Sequence, residues 1–298
     1  MPVIETRGLT KRFGSVTAVD TLDLRVEPGE VFGFLGPNGA GKSTTIRLLL
    51  DLIRPTSGVA RLFGLDSRAD APAIHRRIGF VPSEVAMPRD LTAERYLAYR
   101  DDLRRLDTAT ARHALAERLG AELGRRIGDM STGNRQKIAL IQALAHDPEL
   151  VILDEPSRGL DPLVQYALHE LLRERVDRGA TVFLSSHSIA EVDRTATRVG
   201  IIRDGCLIAV ESLAEIKART SRTIELDLSG PVEAAVFAGL PGVTDVTVVG
   251  SRVSARVRGS ADGFLRAALG AAEVRSVRSA DADLEDVFLH FYRGEADT

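Results

Sequence analysis

Two segments of this 298-residue chain carry residue types suited to phosphate chemistry. The apolar run Val31 to Leu35 reads as a buried parallel strand, and it ends in Gly36-Pro37-Asn38-Gly39-Ala40-Gly41-Lys42-Ser43-Thr44. Glycines at this spacing let the backbone curl with its N–H groups pointing inward, and a helix beginning near Lys42 adds the positive end of its dipole. The result is a P-loop, in which Lys42 reaches the β and γ phosphates and the Ser43 hydroxyl takes one position on Mg2+. A second apolar strand, Leu150 to Leu153, delivers Asp154 and Glu155 to the carboxyl edge of the sheet, where ligands bind in such architectures. Asp154 is placed to hold Mg2+ through its water shell, and Glu155 to polarise an attacking water.

A P-loop alone leaves kinases, GTPases and many ATPases open, so further motifs must choose. Met130-Ser131-Thr132-Gly133-Asn134-Arg135-Gln136 stands shortly before the Asp154-Glu155 strand, and it resembles the signature of ABC-type ATPases, Leu-Ser-Gly-Gly-Gln. Ser131 suits a helix N-cap, Gly133 permits close approach, and the helix that follows, over Ile138 to Ala145, offers free N–H groups to an anion. Ser157-Arg158-Gly159-Leu160-Asp161 resembles the family's D-loop, and Ser185-Ser186-His187, after the strand Thr181 to Leu184, resembles its switch histidine. A histidine there can hold the attacking water and its glutamate partner in line. Near the start, Phe13 stands where the family places an aromatic ring against adenine.

The resemblance implies an ATPase subunit of a transporter. Its substrate is ATP with Mg2+, and its catalytic residues are Glu155, His187 and Lys42. Nucleotide contacts are expected from Phe13, Gly36, Pro37, Asn38, Gly39, Ala40, Gly41, Lys42, Ser43 and Thr44, with Ser131, Thr132, Gly133 and Asn134 facing the nucleotide of a second subunit. Metal contacts fall to Ser43 and Asp154, with Ser83 as a further candidate. Two departures stand out. Ser83, followed by Glu84, occupies the place of a family glutamine that touches Mg2+ and links the site to the membrane subunit, and serine is too short to match its reach. Thr132 and Asn134 replace Gly and Gln of the signature, which implies slower hydrolysis.

The elements that must position these groups follow from patterning. Val3 to Thr6 and Leu22 to Val26 alternate like the antiparallel strands that carry the adenine-side aromatic. From about residue 91 to 145 the spacing turns helical, with Leu97, Leu103, Leu106, Leu115, Leu119 and Leu123, as expected of a helical subdomain. The resemblance places the membrane partner's coupling helices on it and on Ser83 to Asp90. Strands over Val199 to Ile202 and Cys206 to Val210 flank the turn Asp204-Gly205, and Ser212-Leu213-Ala214-Glu215 opens a helix, ending the nucleotide-binding domain (1–219) near Arg219. The remainder, 220–298, reads as strand Thr223 to Leu228, helix Val232 to Ala238, strands Val243 to Val249 and Arg252 to Val257, helix Gly263 to Leu269 and strand Val274 to Val277. That β-α-β-β-α-β order suggests a small ferredoxin-like unit, closed by an amphipathic helix from Leu284 to Tyr292. The expected fold is therefore α/β, a P-loop ABC-type domain with an α+β tail.

Bulk properties narrow the class. A hydrophobic content of 44% and a charged content of 27% fit a globular chain. No run approaches the roughly 20 apolar residues of a membrane span, and Met1 to Glu5 lack the pattern of a secretory signal, so the protein is expected in the cytoplasm. A net charge of −3 offers no field for nucleic acid. The lone Cys206 reads as a small buried residue. With a tail resembling those of daunorubicin-type exporters, the chain is expected at the inner face of the membrane, driving export of a drug or antibiotic through a separate permease. The expected assembly is a homodimer, a heterodimer being the alternative. The rival readings are an importer ATPase and a non-transport ABC-type ATPase; a metabolite kinase is disfavoured by the signature, D-loop and histidine.

Overall fold

The computed structural model describes residues 1–219 and 221–280. The chain opens with two long strands, β1 (Ile4–Phe13) and β2 (Val16–Val26), then β3 (Val31–Leu35) and helix α1 (Lys42–Leu49). β4 (Ser57–Leu62), β5 (Leu65–Asp66), α2 (Ala71–Arg76) and β6 (Ile78–Val81) follow. A helical stretch comprises α3 (Ala93–Arg104), α4 (Ala109–Leu119) and α5 (Thr132–Leu144). The chain then returns through β7 (Leu150–Asp154), α6 (Pro162–Asp177), β8 (Thr181–Ser186), α7 (Ile189–Thr195), β9 (Arg198–Arg203) and β10 (Cys206–Ser212). The last described segment holds α8 (Leu213–Arg219), β11 (Ser221–Leu228), β12 (Val243–Val249), β13 (Arg252–Arg258), α9 (Asp262–Ala271) and β14 (Val274–Ala280).

The chain divides into two compact units, Met1–Val210 and Glu211–Thr298. The first contains a sheet ordered β10-β9-β3-β8-β7-β6, in which β9, β3, β8, β7 and β6 run parallel. Such strands are covered on both faces, which is why β3, β7 and β8 are buried at every position, with continuous apolar stretches rather than alternating ones. Phe32 and Phe34 of β3 meet Phe183 of β8 at ring-centroid distances of 5.8 and 5.3 Å. Each of these rings is fully buried, and burial of that kind contributes about 1.5–3 kcal/mol per side chain. This rigid layer fixes the register in which Leu35 faces Ser186 and Asp154 faces Ser185.

A second, antiparallel sheet has the order β2-β1-β4-β5. Its hairpin is longer than the alternation at its two ends foretells, because Gly8 at φ +55° and register shifts between Thr6, Leu9, Lys11 and Arg12 break the pattern without ending the pairing. Among the helices, Leu97, Leu115, Leu119 and Leu123 are buried as expected, whereas Leu103 and Leu106 are exposed. The lone Cys206 is exposed rather than buried, since it opens the strand at the sheet's edge. In the second unit the antiparallel order is β12-β13-β11-β14. The expected element order is met except at Val232 to Ala238, where only a single 3-10 turn, Ala234–Phe237, forms. Pro231 stands ahead of this segment and Gly239 at φ +73° follows it. The helix expected over Leu284 to Tyr292 lies outside the described residues.

One histidine ties the end of the helical stretch to the sheet. His146 Nε2 lies 3.1 Å from the Ile78 carbonyl oxygen, and burial, with Arg104 adding, pushes its pKa from the ordinary 6.5 down to about 4. The folded chain thus binds fewer protons than the unfolded one between those values, so this contribution is complete above pH 6.5 and is lost as pH falls towards 4. Allowing for partial solvent access, about 1–2 kcal/mol of stability is at stake. Thermal melts of wild type and His146→Gln across pH 7 to 4 check it, the wild type losing its lead over the variant as acid is added.

Candidate nucleotide site

The carboxyl ends of β3, β7 and β8 are neighbours in the sheet, so the three sequence segments that follow them meet at one edge. After β3 the chain turns through Gly39 at φ +84° and Gly41 at φ +109° before α1 begins at Lys42. These glycines are required for shape: a Cβ on Gly41 would sit 2.5 Å from the Ala18 carbonyl oxygen, and one on Gly36 would sit 2.4 Å from that of Ile202. The loop wraps the ammonium of Lys42, a residue only 6% exposed, which donates to the carbonyls of Gly36 at 2.6 Å and Pro37 at 3.1 Å. Ser43 and Thr44 stand half-buried in the first turn of α1, whose opening N–H groups have no helical partners.

At the end of β7, Asp154 is buried and its Oδ1 accepts from Ser185 Oγ at 2.5 Å. Glu155 turns the chain with φ +53°, a left-handed conformation unusual for a residue bearing a side chain. Its N–H donates to Ser185 of β8, with both the carbonyl and the hydroxyl oxygen at 3.2 Å. So held, the carboxylate bridges two predicted partners, Oε1 lying 3.3 Å from Lys42 Nζ and Oε2 2.5 Å from His187 Nδ1. The sequence-predicted Lys42, Glu155 and His187 thereby form a contiguous chain of cation, carboxylate and imidazole. Asp154 lies at the carboxyl end of β7, immediately before Glu155.

The other predicted residues stand further along these elements. Ser83 is half-buried just past the end of β6, which pairs with β7 so that Val81 faces Leu153. Phe13 ends β1 with its ring half exposed, and Lys11 Nζ lies 4.8 Å from the ring centroid. Ser131 caps α5 by accepting from the Asn134 N–H at 3.2 Å, so the helix starts at Thr132 rather than at Ile138. The capping hydroxyl takes one N–H of the first turn and lets the helix begin within the polar run that precedes Ile138. Gly133 lies against the D-loop of its own subunit: a Cβ there would be 2.3 Å from the Gly159 carbonyl oxygen. Buried Gln136 donates to the Pro156 carbonyl at 3.0 Å. Asp161 caps α6 by accepting from Val164 N–H at 3.0 Å.

One contributor, Glu191, escapes a reading by motif, while Ser185 and Gln136 lie inside the motifs but receive no role from them. Glu191, on α7, accepts from Ser157 Oγ and, at 2.5 Å, from Ser186 Oγ. Burial pushes its carboxyl up, the two serine hydroxyls opposing and the Glu155 charge adding. The run Ser185-Ser186-His187-Ser188 is the available signal, since so many hydroxyls beside buried carboxylates call for acceptors.

Comparison with known proteins now bears on this edge. A family model described as ABC transporter matches residues 19–158. The bacitracin transport ATP-binding protein of Bacillus licheniformis is 38% identical over 241 residues, 79% of this chain and 78% of its own. The chain belongs to the ABC transporter family. This cassette is also 34% identical to a daunorubicin resistance ATP-binding protein of Streptomyces coeruleorubidus, over 96% of this chain and 95% of that protein. Among solved structures, an ATP-binding subunit of an ABC transporter superposes on the cassette with a TM-score of 0.66 at 29% identity, covering 72% of this chain and 92% of its own.

Proposed function

We infer that this ABC cassette binds and hydrolyses ATP to drive export of an antibiotic-like compound through a separate membrane subunit. The observation that carries the reading is the Lys42-Glu155-His187 chain at the edge shared by β3, β7 and β8. The P-loop amides and Lys42 bind the phosphates of ATP, and Phe13 offers a ring face to the adenine. Glu155 Oε2 accepts a proton from the attacking water, and His187, hydrogen-bonded to that carboxylate, keeps the pair aligned. Asp154, oriented by Ser185, and the Ser43 hydroxyl form a hard oxygen donor set that suits Mg2+, with Ser83 as an outer contact. When bound, the ion offsets the charge that builds on the phosphate oxygens.

Ser131, Thr132, Gly133 and Asn134 open α5 towards an anion supplied by a second copy, so that two cassettes clamp two nucleotides. Closure and release of that pair move the membrane subunits as a shift between two populations. Among the described residues no helix is long and apolar enough to cross a membrane. In this reading a separate permease supplies the membrane passage, and the cassette works against it on the inner face of the bilayer. The 220–298 segment serves dimerisation or regulation rather than catalysis. Relatives named for bacitracin transport and daunorubicin resistance point to export and to such cargo. The test is transport in inside-out vesicles carrying the cassette with its permease. ATP-dependent uptake of bacitracin or an anthracycline, absent with Glu155→Gln, is the expected result; stimulation by an external solute-binding protein would overturn the export reading.

A further inference from the structure

Glu155 and His187 belong to different strand ends, yet their side chains meet at 2.5 Å. The pairing of Asp154 with Ser185 and the Glu155 N–H on Ser185 bring the two strand ends together, but the two side chains project from connections where the backbone leaves the sheet. Both connections are fastened to a third element. Ser157, two residues after Glu155, donates through its hydroxyl to Glu191 Oε1. Ser186, immediately before His187, donates to Glu191 Oε2 at 2.5 Å. The same Ser186 oxygen accepts from the Ser188 N–H at 2.9 Å, which closes a small loop around His187. Ser188 in turn caps α7, its hydroxyl accepting from the Glu191 N–H at 3.4 Å.

We propose that Glu191 is a positioning residue for hydrolysis, a two-pronged acceptor that fixes the loop after Glu155 and the strand end before His187 at one spacing. The inference rests on the hydrolytic roles given to Glu155 and His187 above. A carboxylate suits this task because it offers two acceptor oxygens on one rigid plane, one for each serine. Its place on α7 adds a fixed base, for Val192, the next residue, is fully buried and packs where a Cβ on Gly33 of β3 would come within 2.6 Å. Misplacing a reacting group by an ångström costs about 100-fold in rate, and the clamp acts on the two groups whose spacing the water must bridge.

Three full-length variants decide the matter, each assayed for steady-state hydrolysis of Mg-ATP, nucleotide binding by calorimetry and thermal melting. Glu191→Leu keeps the apolar stem and removes both acceptors. Its kcat is expected to fall about tenfold or more while KM, ATP affinity and melting temperature stay within about twofold or a few degrees. Glu191→Gln retains one acceptor and gains a donor that a serine oxygen can accept, and it restores at least about a third of the wild-type kcat. The third variant, Ser157→Ala with Ser186→Ala, reproduces the kcat loss and carries the test if Glu191→Leu fails to fold. Wild-type kcat in Glu191→Leu would overturn the proposal; so would a parallel fall of kcat, affinity and melting temperature that Glu191→Gln does not rescue, the mark of a purely structural residue. If the wild-type chain itself neither binds nor splits ATP, the functional reading fails instead, and the two failures are distinct.

Discussion

Glu155→Gln is expected to leave ATP bound and unsplit, with turnover reduced about 100- to 10,000-fold. The amide keeps the volume of the carboxylate and can still lie beside Lys42 and His187, but it cannot take a proton from water. The backbone that aims the side chain is held independently of its chemistry, through the Glu155 N–H on Ser185 and the left-handed turn at φ +53°. The substitution therefore isolates the proton-accepting step from the architecture around it. Phosphate release under saturating Mg-ATP, measured beside calorimetric affinity, reads the two quantities separately. Hydrolysis at the wild-type rate would remove Glu155 from the role assigned to it.

Lys42→Met has the opposite signature, because here binding itself is lost. The thioether spans much of the lysine's length and fits a site only 6% exposed, but it brings neither charge nor donors. Charge-assisted hydrogen bonds to phosphate of this kind contribute about 2–4 kcal/mol in total, so ATP affinity is expected to fall about 30- to 900-fold. Stability changes less. The carbonyls of Gly36 and Pro37 lose their shared donor, and Glu155 loses its neighbouring cation, for a cost of about 1 kcal/mol. Calorimetric titration with ATP checks the first number and denaturant unfolding the second; an affinity equal to wild type would remove the phosphate-binding role from Lys42.

How much of this was legible in the chain follows from what each residue must satisfy. The parallel strands announce themselves because double-sided burial forces unbroken apolar runs, and the P-loop because only glycine fits where a Cβ would strike Ala18 or Ile202. Asp154, Glu155 and His187 are readable because they follow such strands directly. The hairpin of β1 and β2 was half legible, its bulges scrambling the two-residue alternation. The 3-10 turn at Ala234–Phe237 reads as a helix in the sequence because local composition favours helix there and nothing local separates one 3-10 turn from a short α-helix. Exposed Cys206 illustrates a different limit: the average habits of a residue type say little once strand order puts it at an edge. Glu191 was beyond reach, since its importance comes from two serines 34 and 5 positions away that only the folded sheet brings together.

The abutment of Gly133 on Gly159 limits how this enzyme can be altered. With 2.3 Å between a would-be methyl and a peptide oxygen, and with Gln136 bonded to Pro156 beside it, the two loops form an interlocked pair. A side chain at Gly133 is tolerated only if the peptide at Gly159 shifts with it. Directed evolution at Gly133 alone would therefore stall, whereas libraries that vary residues 131–136 and 156–161 together can make room for a side chain there.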